Sequence, residues 1–319
     1  MTNNANNANN ANNESKCHFT AADQMPWTVD SSFRVAPGLH RVDAENGALF
    51  VRDQWASVYR LAKQQRLATG RAMVGAPDEQ VLQQIAARYQ SQAASPASVA
   101  HVAHTARTGP AEPVDPTDTI DPVALSLQMQ EDFVILHDQE NGEGFRAEFF
   151  SVCFPSNWRP ADKLGKDFLA IHAPVADNAS LLKARQGIES IAFRQQSMVR
   201  HVWLLSPTGN LAQDPEERSS NWDTVLSTAH GDANALLSQA YFRVERQTTL
   251  PLPEIKRAVF FIRIMVCPLL AVLQHTPSRA DVLSKSLASM SDAFLRYRGM
   301  HVLKDPLCRA LQRFATSTH

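Results

Sequence analysis

The sequence has no paired cysteines, no surplus of charge of either sign, and no apolar run long enough to cross a bilayer. Its four cysteines (Cys17, Cys153, Cys267, Cys308) lie far apart without a CxxC pair. That excludes a disulfide scaffold or a cysteine zinc site and fits reduced thiols. Lys plus Arg number 31 against 32 Asp plus Glu, so no broad basic surface argues for nucleic acid. The longest apolar run, around 258–273, contains Arg263 and is too short for a membrane span. The N-terminus, MTNNANNANNANNESK, lacks the apolar segment of a signal peptide, and a cytoplasmic protein is expected. Missing too are GxGxxG after a strand, a P-loop, HExxH and GxSxG. No site for a nicotinamide or flavin is recognisable, so any redox work draws its electrons from another protein or domain.

What is present is a chain of 319 residues, 44% hydrophobic, enough for a sizeable globular core. The Asn-Asn-Ala tail over 1–18 reads as disordered. Residues 19–122 read as an N-terminal helical region and linker. Asp53 is placed to cap a helix through about Leu67, with Trp55, Val58, Tyr59 and Ala62 on one face. Pro77-Asp78 opens a second, in which Val81, Leu82, Ile85, Ala86 and Tyr89 repeat at helical spacing. The Ala/Ser/Thr/Pro-rich segment 92–122 holds His101 and His104 at HxxH spacing, but no Cys or carboxylate joins them and they read as surface residues.

Over 123–275 the period changes to that of strands. Phe133–Leu136 and Phe145–Phe154 flank a hairpin turn at Asn141–Gly144. A helix is expected over 179–192, then strands at Met198–Leu205, Tyr241–Thr248 and Ala258–Val266. This gives an α+β core around one antiparallel sheet. Residues 276–319 supply C-terminal helices, one opened by a capping box at Ser278 and Asp281 and carrying Phe294, the last starting at Asp305-Pro306.

The middle of this core is the stretch FPSNWRPADKLGKDFLAIHAPV (154–175). Pro155 and Pro160 oppose regular structure, and the segment gathers Trp158 and Phe168 before a single imidazole, His172. It reads either as a pocket wall or as a packed crossover with a hydrogen-bonded core histidine. Polar residues also interrupt the strands. Strand alternation puts Phe242, Val244 and Arg246 on one face of their strand and Tyr241, Arg243, Glu245 and Gln247 on the other. His201 shares a face with Val199 and Trp203, and Arg200 points the opposite way. Arg263 is the one charge in AVFFIRIMV, so it needs a partner, either Glu245 or an anionic ligand group.

The segments EDFVIL (131–136), FPSNWRPADKLGKDFLAIHAPV (154–175), RHVW (200–203), FRVERQT (242–248) and FFIRIMVCPL (260–269) resemble the haem-dependent oxidative N-demethylase family. The resemblance runs from about Phe33 to the C-terminus. It implies a PAS-like antiparallel sheet that binds haem b, flanked by N-terminal and C-terminal helices. The activity it implies is O2-dependent demethylation of a small secondary amine such as dimethylamine, with electrons from an NAD(P)H, flavin and iron–sulfur partner. Carried onto this chain, it makes His172 the iron ligand, an imidazole being a suitable proximal ligand. Lys163, Arg246 and Arg263 become candidates to neutralise the haem propionates. Trp158, Arg200 and His201 join the cofactor surroundings. Glu245, with Arg263 beside it, becomes the group that handles the cationic amine and its proton. Two departures stand out: Val202 precedes Trp203 where the family usually has Asn, and IHxPVP ends in Ala176. A haem-binding PAS-like sensor or carrier without turnover, and a diverged member without haem, are the alternatives.

Overall fold

The computed structural model describes residues 20–93, 119–139, 144–217 and 221–317. The Asn-rich tail, Cys17, His101, His104 and the turn residues Asn141, Gly142 and Glu143 lie outside the described residues. Seven strands form one sheet, antiparallel at every pairing: β1 (His40–Arg41), β2 (Met73–Gly75), β3 (Asp132–Gln139), β4 (Gly144–Ser151), β5 (Met198–Ser206), β6 (Tyr241–Leu252) and β7 (Arg257–Pro268). They lie in the order β1-β5-β6-β7-β3-β4-β2. The expected α+β class and hairpin are present, and the five expected strands gain two short edge strands. A sheet buried on both faces suits β7, whose residues are apolar at nearly every position.

Register divides the side chains between two faces. Val244 pairs with Trp203 and Met265, and Arg246 pairs with His201 and Arg263, so these share one face with Phe242 and Thr248. At one end that face packs against Phe50, Val81, Leu82, Ile85 and Leu125 from the N-terminal helices. At the other it meets Leu283, Leu287, Leu307 and Leu311 from the C-terminal ones. The opposite face carries Val134, Leu136 and Met198 under Leu181, Ile188 and Phe193 of the crossover.

β7 outruns its neighbour, because β3 begins at Asp132 opposite Ile262. The helix Ala56–Leu67 covers the strand edge so exposed, and the Tyr59 hydroxyl donates to the carbonyl of Ile264. The amide of Thr20 donates to the carbonyl of Val266. Buried carbonyls that no strand reaches are thus satisfied from elsewhere. Among the described residues, no helix is long and apolar enough to cross a membrane.

Several local expectations change. Asp53 does not cap the helix directly: Trp55 holds the cap position, while Asp53 accepts from the amides of Trp55 and Ala56 one turn earlier. Ser278 has helical dihedrals and makes no side-chain cap. Phe294 belongs to a separate helix, Asp292–Tyr297, capped by Ser291, whose hydroxyl accepts from Phe294 N at 3.0 Å and donates to Asp177 Oδ2 at 2.6 Å. The single helix expected over 179–192 is three short pieces, Ala179–Lys183, Arg185–Ile188 and a π-helical Glu189–Gln195.

Inside this frame Lys63 and Asp132 are both fully buried, 3.2 Å apart, and Lys63 also donates to the carbonyl of Glu131. Removing one partner of such a pair strands the other charge in the interior, at about 3–5 kcal/mol. Lys63→Met should lower unfolding free energy by that amount in urea. Adding Asp132→Asn should recover part of the loss, and a Lys63→Met protein as stable as the parent would mean that water reaches the pair.

Candidate functional site

The stretch that follows β4 is held at its first residue by two charges. The Phe154 amide donates to Asp132 Oδ2 at 2.8 Å, and the Phe154 carbonyl accepts from Arg243 Nη2 at 3.2 Å. Arg243 is fully buried and has no carboxylate at salt-bridge distance among the described residues. Its other donors reach Ser156 Oγ (3.1 Å), the Asn210 carbonyl (3.1 Å) and the Leu211 carbonyl (2.9 Å). Burial pushes its pKa down to about 10, with Glu245 opposing. Arg243 therefore joins the start of the stretch to the loop after β5. Paired backbone bonds between Pro155–Asn157 and Gln213 continue that seam.

Past the seam the chain turns at Asn157, whose φ of 66° is left-handed, a conformation that Asn tolerates better than most residues. A 3-10 turn, Pro160–Lys163, leads to Gly165 at φ 72°. The Gly165 amide and the Lys166 carbonyl bond to Ala147 of β4, which lays the segment along the sheet edge. Asp167 then caps the five-residue helix Phe168–His172 by accepting from Ala170 N at 2.8 Å.

His172 ends that helix. Its Nδ1 lies 2.8 Å from the Phe168 carbonyl, which can only accept, so Nδ1 carries the proton and Nε2 keeps a free lone pair. The ring lies 4.2 Å from that of Phe168, and among the described residues Nε2 has no hydrogen-bond partner. Burial, and next the cations Lys163 and Arg200, hold its pKa down at about 4 against the Phe168 hydrogen bond. The imidazole is neutral at physiological pH. A neutral ring with one nitrogen fixed by a carbonyl and the other free is prepared as a metal ligand.

Around it stand Lys163, with its ammonium 4.4 Å from the Trp158 ring centre, and Arg200, whose buried Nε has no hydrogen-bond partner. Burial lowers the pKa of both cations, and Glu245 opposes the shift in each case. Glu245 comes from the adjoining strand, where Gln247 Nε2 donates to its Oε2 at 2.8 Å and Val202 is its cross-strand partner. Trp158, Lys163, His172, Arg200, Val202, Glu245 and Gln247 are all half-buried. They form a half-buried polar cluster against one face of the sheet. A groove of about 320 Å³ between Leu226, Leu236, Ala310 and Arg313 lies among the C-terminal helices and shares no residue with this cluster.

The other candidates fall on the opposite face of the sheet. Arg263 pairs in register with Arg246, whereas Glu245 pairs with Ile264. Arg263 reaches Asp53 Oδ2 at 2.7 Å and stacks 3.8 Å from the centre of the Tyr59 ring. The expected Arg263–Glu245 pairing is therefore corrected, because successive residues of a strand point to opposite sides. Arg246 donates to the carbonyls of Ala48 and Leu49. His201 lies beside Arg246 and His40, and burial, then those cationic neighbours, lower its pKa to about 4. Arg246, Arg263 and His201 thus lie on the face of the sheet opposite Arg200 and Glu245. Sequence reading overlooked Asp53 as the partner of Arg263, and it left Arg243 and Gln247 without a role. The alternation of β6 had already put both on the Glu245 face.

Residues 71–308, well over half of the chain, match the family model described as haem-dependent oxidative N-demethylase, alpha subunit-like. No curated protein matches the chain.

Two measurements check the geometry. Asp53→Asn should cost about 3 kcal/mol, since it leaves the buried Arg263 unpaired, while Glu245→Gln should leave the melting temperature of the cofactor-free chain nearly unchanged. Equal losses in the two variants would return Glu245 to Arg263. The second concerns pH. Folded His201 takes a proton only near pH 4, whereas an unfolded histidine takes one near the ordinary 6.5. The unfolded state then binds more protons between those values, so the contribution of His201 to stability is complete above about 6.5 and is lost as pH falls toward 4. His201→Gln should narrow the difference in melting temperature between pH 7 and pH 5. An undiminished difference would show that His201 is open to water.

Proposed function

The chain belongs to the haem-dependent oxidative N-demethylase, alpha subunit-like family, and on that premise we propose that it binds haem b through His172 and demethylates a small secondary amine. The observation that carries this reading is the tautomer of His172. Its Nδ1–H is spent on the Phe168 carbonyl, and its Nε2 keeps a free lone pair, with Lys163 and Arg200 the cations in electrostatic reach of the ring. The donor set suits a haem: one neutral imidazole, the aromatic walls Trp158 and Phe168, and the cations Lys163 and Arg200 without carboxylate partners among the described residues. Lys163 keeps its expected part in holding the propionates, and Arg200 takes the place of Arg246 and Arg263. The PAS-like character expected of the core belongs to the same reading, supported by one antiparallel sheet with the 154–195 crossover against one face.

Haem, when bound, supplies the oxidative chemistry with O2, using electrons from a partner reductase of the NAD(P)H, flavin and iron–sulfur kind. The chain's own work is positional and electrostatic. His172 stays neutral and available, because its cleft disfavours the imidazolium. A secondary amine is protonated at neutral pH and needs a carboxylate. Glu245 provides it, with Gln247 fixing one oxygen and leaving the other to accept from the ammonium. Glu245 can then receive the amine's proton as the C–H bond next to nitrogen is oxidised. Arg263, committed to Asp53 on the far face, serves the fold instead of the reaction.

Reconstitution with haemin tests the reading. The parent chain should develop a Soret band that His172→Ala abolishes or shifts strongly. Glu245→Gln should keep the band and lose most amine-dependent O2 consumption when a reductant is supplied. A spectrum indifferent to His172→Ala removes the ligand assignment, and native turnover in Glu245→Gln removes the carboxylate from the chemistry.

A further inference from the structure

The His172 ring is bonded to the Phe168 carbonyl within its own helical turn, so ring and helix move together. That helix has only five residues. Helix nucleation is unfavourable, so a piece this short is held by whatever fixes its ends. Asp167 fixes the first end, capping the helix and forming a backbone bridge with Arg146 of β4. The other end is the carbonyl of His172 itself, one of the last-turn carbonyls that a helix leaves without a partner. Two donors reach it, the Val175 amide at 3.0 Å and Asn178 Nδ2 at 2.8 Å.

Asn178 follows a segment that is tied to the C-terminal helices. Ala176 packs against the apolar cluster that contains Phe294 and Leu295. Asp177 turns the chain at φ 57°, a left-handed conformation that Asp adopts more readily than most residues. Its Oδ2 accepts from Ser291 Oγ at 2.6 Å, and Ser291 caps the helix Asp292–Tyr297. The donor that completes the His172 helix is thus anchored outside that helix.

We propose that Asn178 is a positioning residue for the iron ligand: its amide holds the end of the Phe168–His172 helix and, through it, the direction in which His172 Nε2 points. The proposal rests on the haem reading above for the identity of what Nε2 binds. A side-chain amide suits the task, because it donates to the carbonyl without bringing a charge to a ring that has to stay neutral. Asn178 touches neither cofactor nor substrate and acts only through the backbone of His172.

Three variants at this position test it. Asn178→Asp keeps the shape and removes the donor, Asn178→Ala removes the donor without adding charge, and Asn178→Gln keeps a donor. In the cofactor-free chain, nitrogen NMR of the His172 ring should show one tautomer, protonated at Nδ1, in the parent and in Asn178→Gln. The Asp and Ala variants should show exchange between tautomers. After loading with haemin, those two should lose haem to excess apomyoglobin about tenfold or more faster, the usual effect of removing a group that orients a metal ligand. The iron–histidine stretching band of their dithionite-reduced forms should shift as well. A single Nδ1–H tautomer in both the Asp and Ala variants overturns the proposal. So does faster haem loss with an unshifted band, which is the mark of general destabilisation. A parent without a His172-dependent Soret band defeats the haem reading, and the tautomers of the cofactor-free chain then decide for or against Asn178 alone.

Discussion

The backbone of one residue, Phe154, is gripped by two buried charges, and the site hangs from that grip. Its amide donates to Asp132 and its carbonyl accepts from Arg243. Asp132 in turn is paired with Lys63, which lies on the helix covering the free edge of β7. Burying an ion costs several kcal/mol, which the protein recovers only if each polar atom finds a partner. Arg243 meets the condition with four bonds to oxygen atoms. Those bonds, with the single bridge between Ser156 and Gln213, fix the segment leaving β4 against the loop leaving β5. The position of His172, eighteen residues further on, follows from that fixed origin and from the Ala147 bonds along the sheet edge.

The same strand that supplies Arg243 decides which side of the sheet carries the proposed site. Alternation along β6 sends Arg243, Glu245 and Gln247 one way and Phe242, Val244 and Arg246 the other. A slip of one residue would exchange the two sets. It would put Phe242 and Val244 in the cleft and a carboxylate against Trp203 and the C-terminal helices. The stacked contacts of Phe242 with Trp27 and Trp203 oppose that slip from the apolar side. Packing on one face thereby holds chemistry in register on the other.

How much of this was legible in the sequence depends on the range of the interaction. The β6 faces and the isolation of His172 between prolines are local, and period and composition suffice to see them. The partner of Arg263 is not local. Asp53 is 210 positions away in a loop, and no pattern links the two, so Glu245, on the adjoining strand, took its place. The register pairs Arg263 with Arg246 and Glu245 with Ile264, so Arg263 and Glu245 lie on opposite faces. The likeness to a known family outweighed that signal and drew Arg246 and His201 into the same pocket. The helix expected over 179–192 breaks because three short pieces follow the sheet's surface more closely than one rod. Leu181, Ile188, Ala192 and Phe193 all reach the same core from them.

Three buried arginines show where the fold spends its hydrogen bonds and where it withholds them. Arg243 is fully engaged, and it sits where the chain must be rigid. Arg263 has one carboxylate and an aromatic ring, and it ties a loop to the end of β7. Arg200 has neither, although it belongs to the same sheet and is desolvated enough to lower its pKa. A half-buried guanidinium whose Nε has no partner is a cost that packing alone does not explain. Stability would favour replacing it with an apolar residue of similar size. Retaining the charge makes sense if an anion arrives to complete it, and the same holds for Lys163 across the cleft. On the haem reading proposed above, these cations would receive the carboxylates and the free nitrogen of His172 the iron.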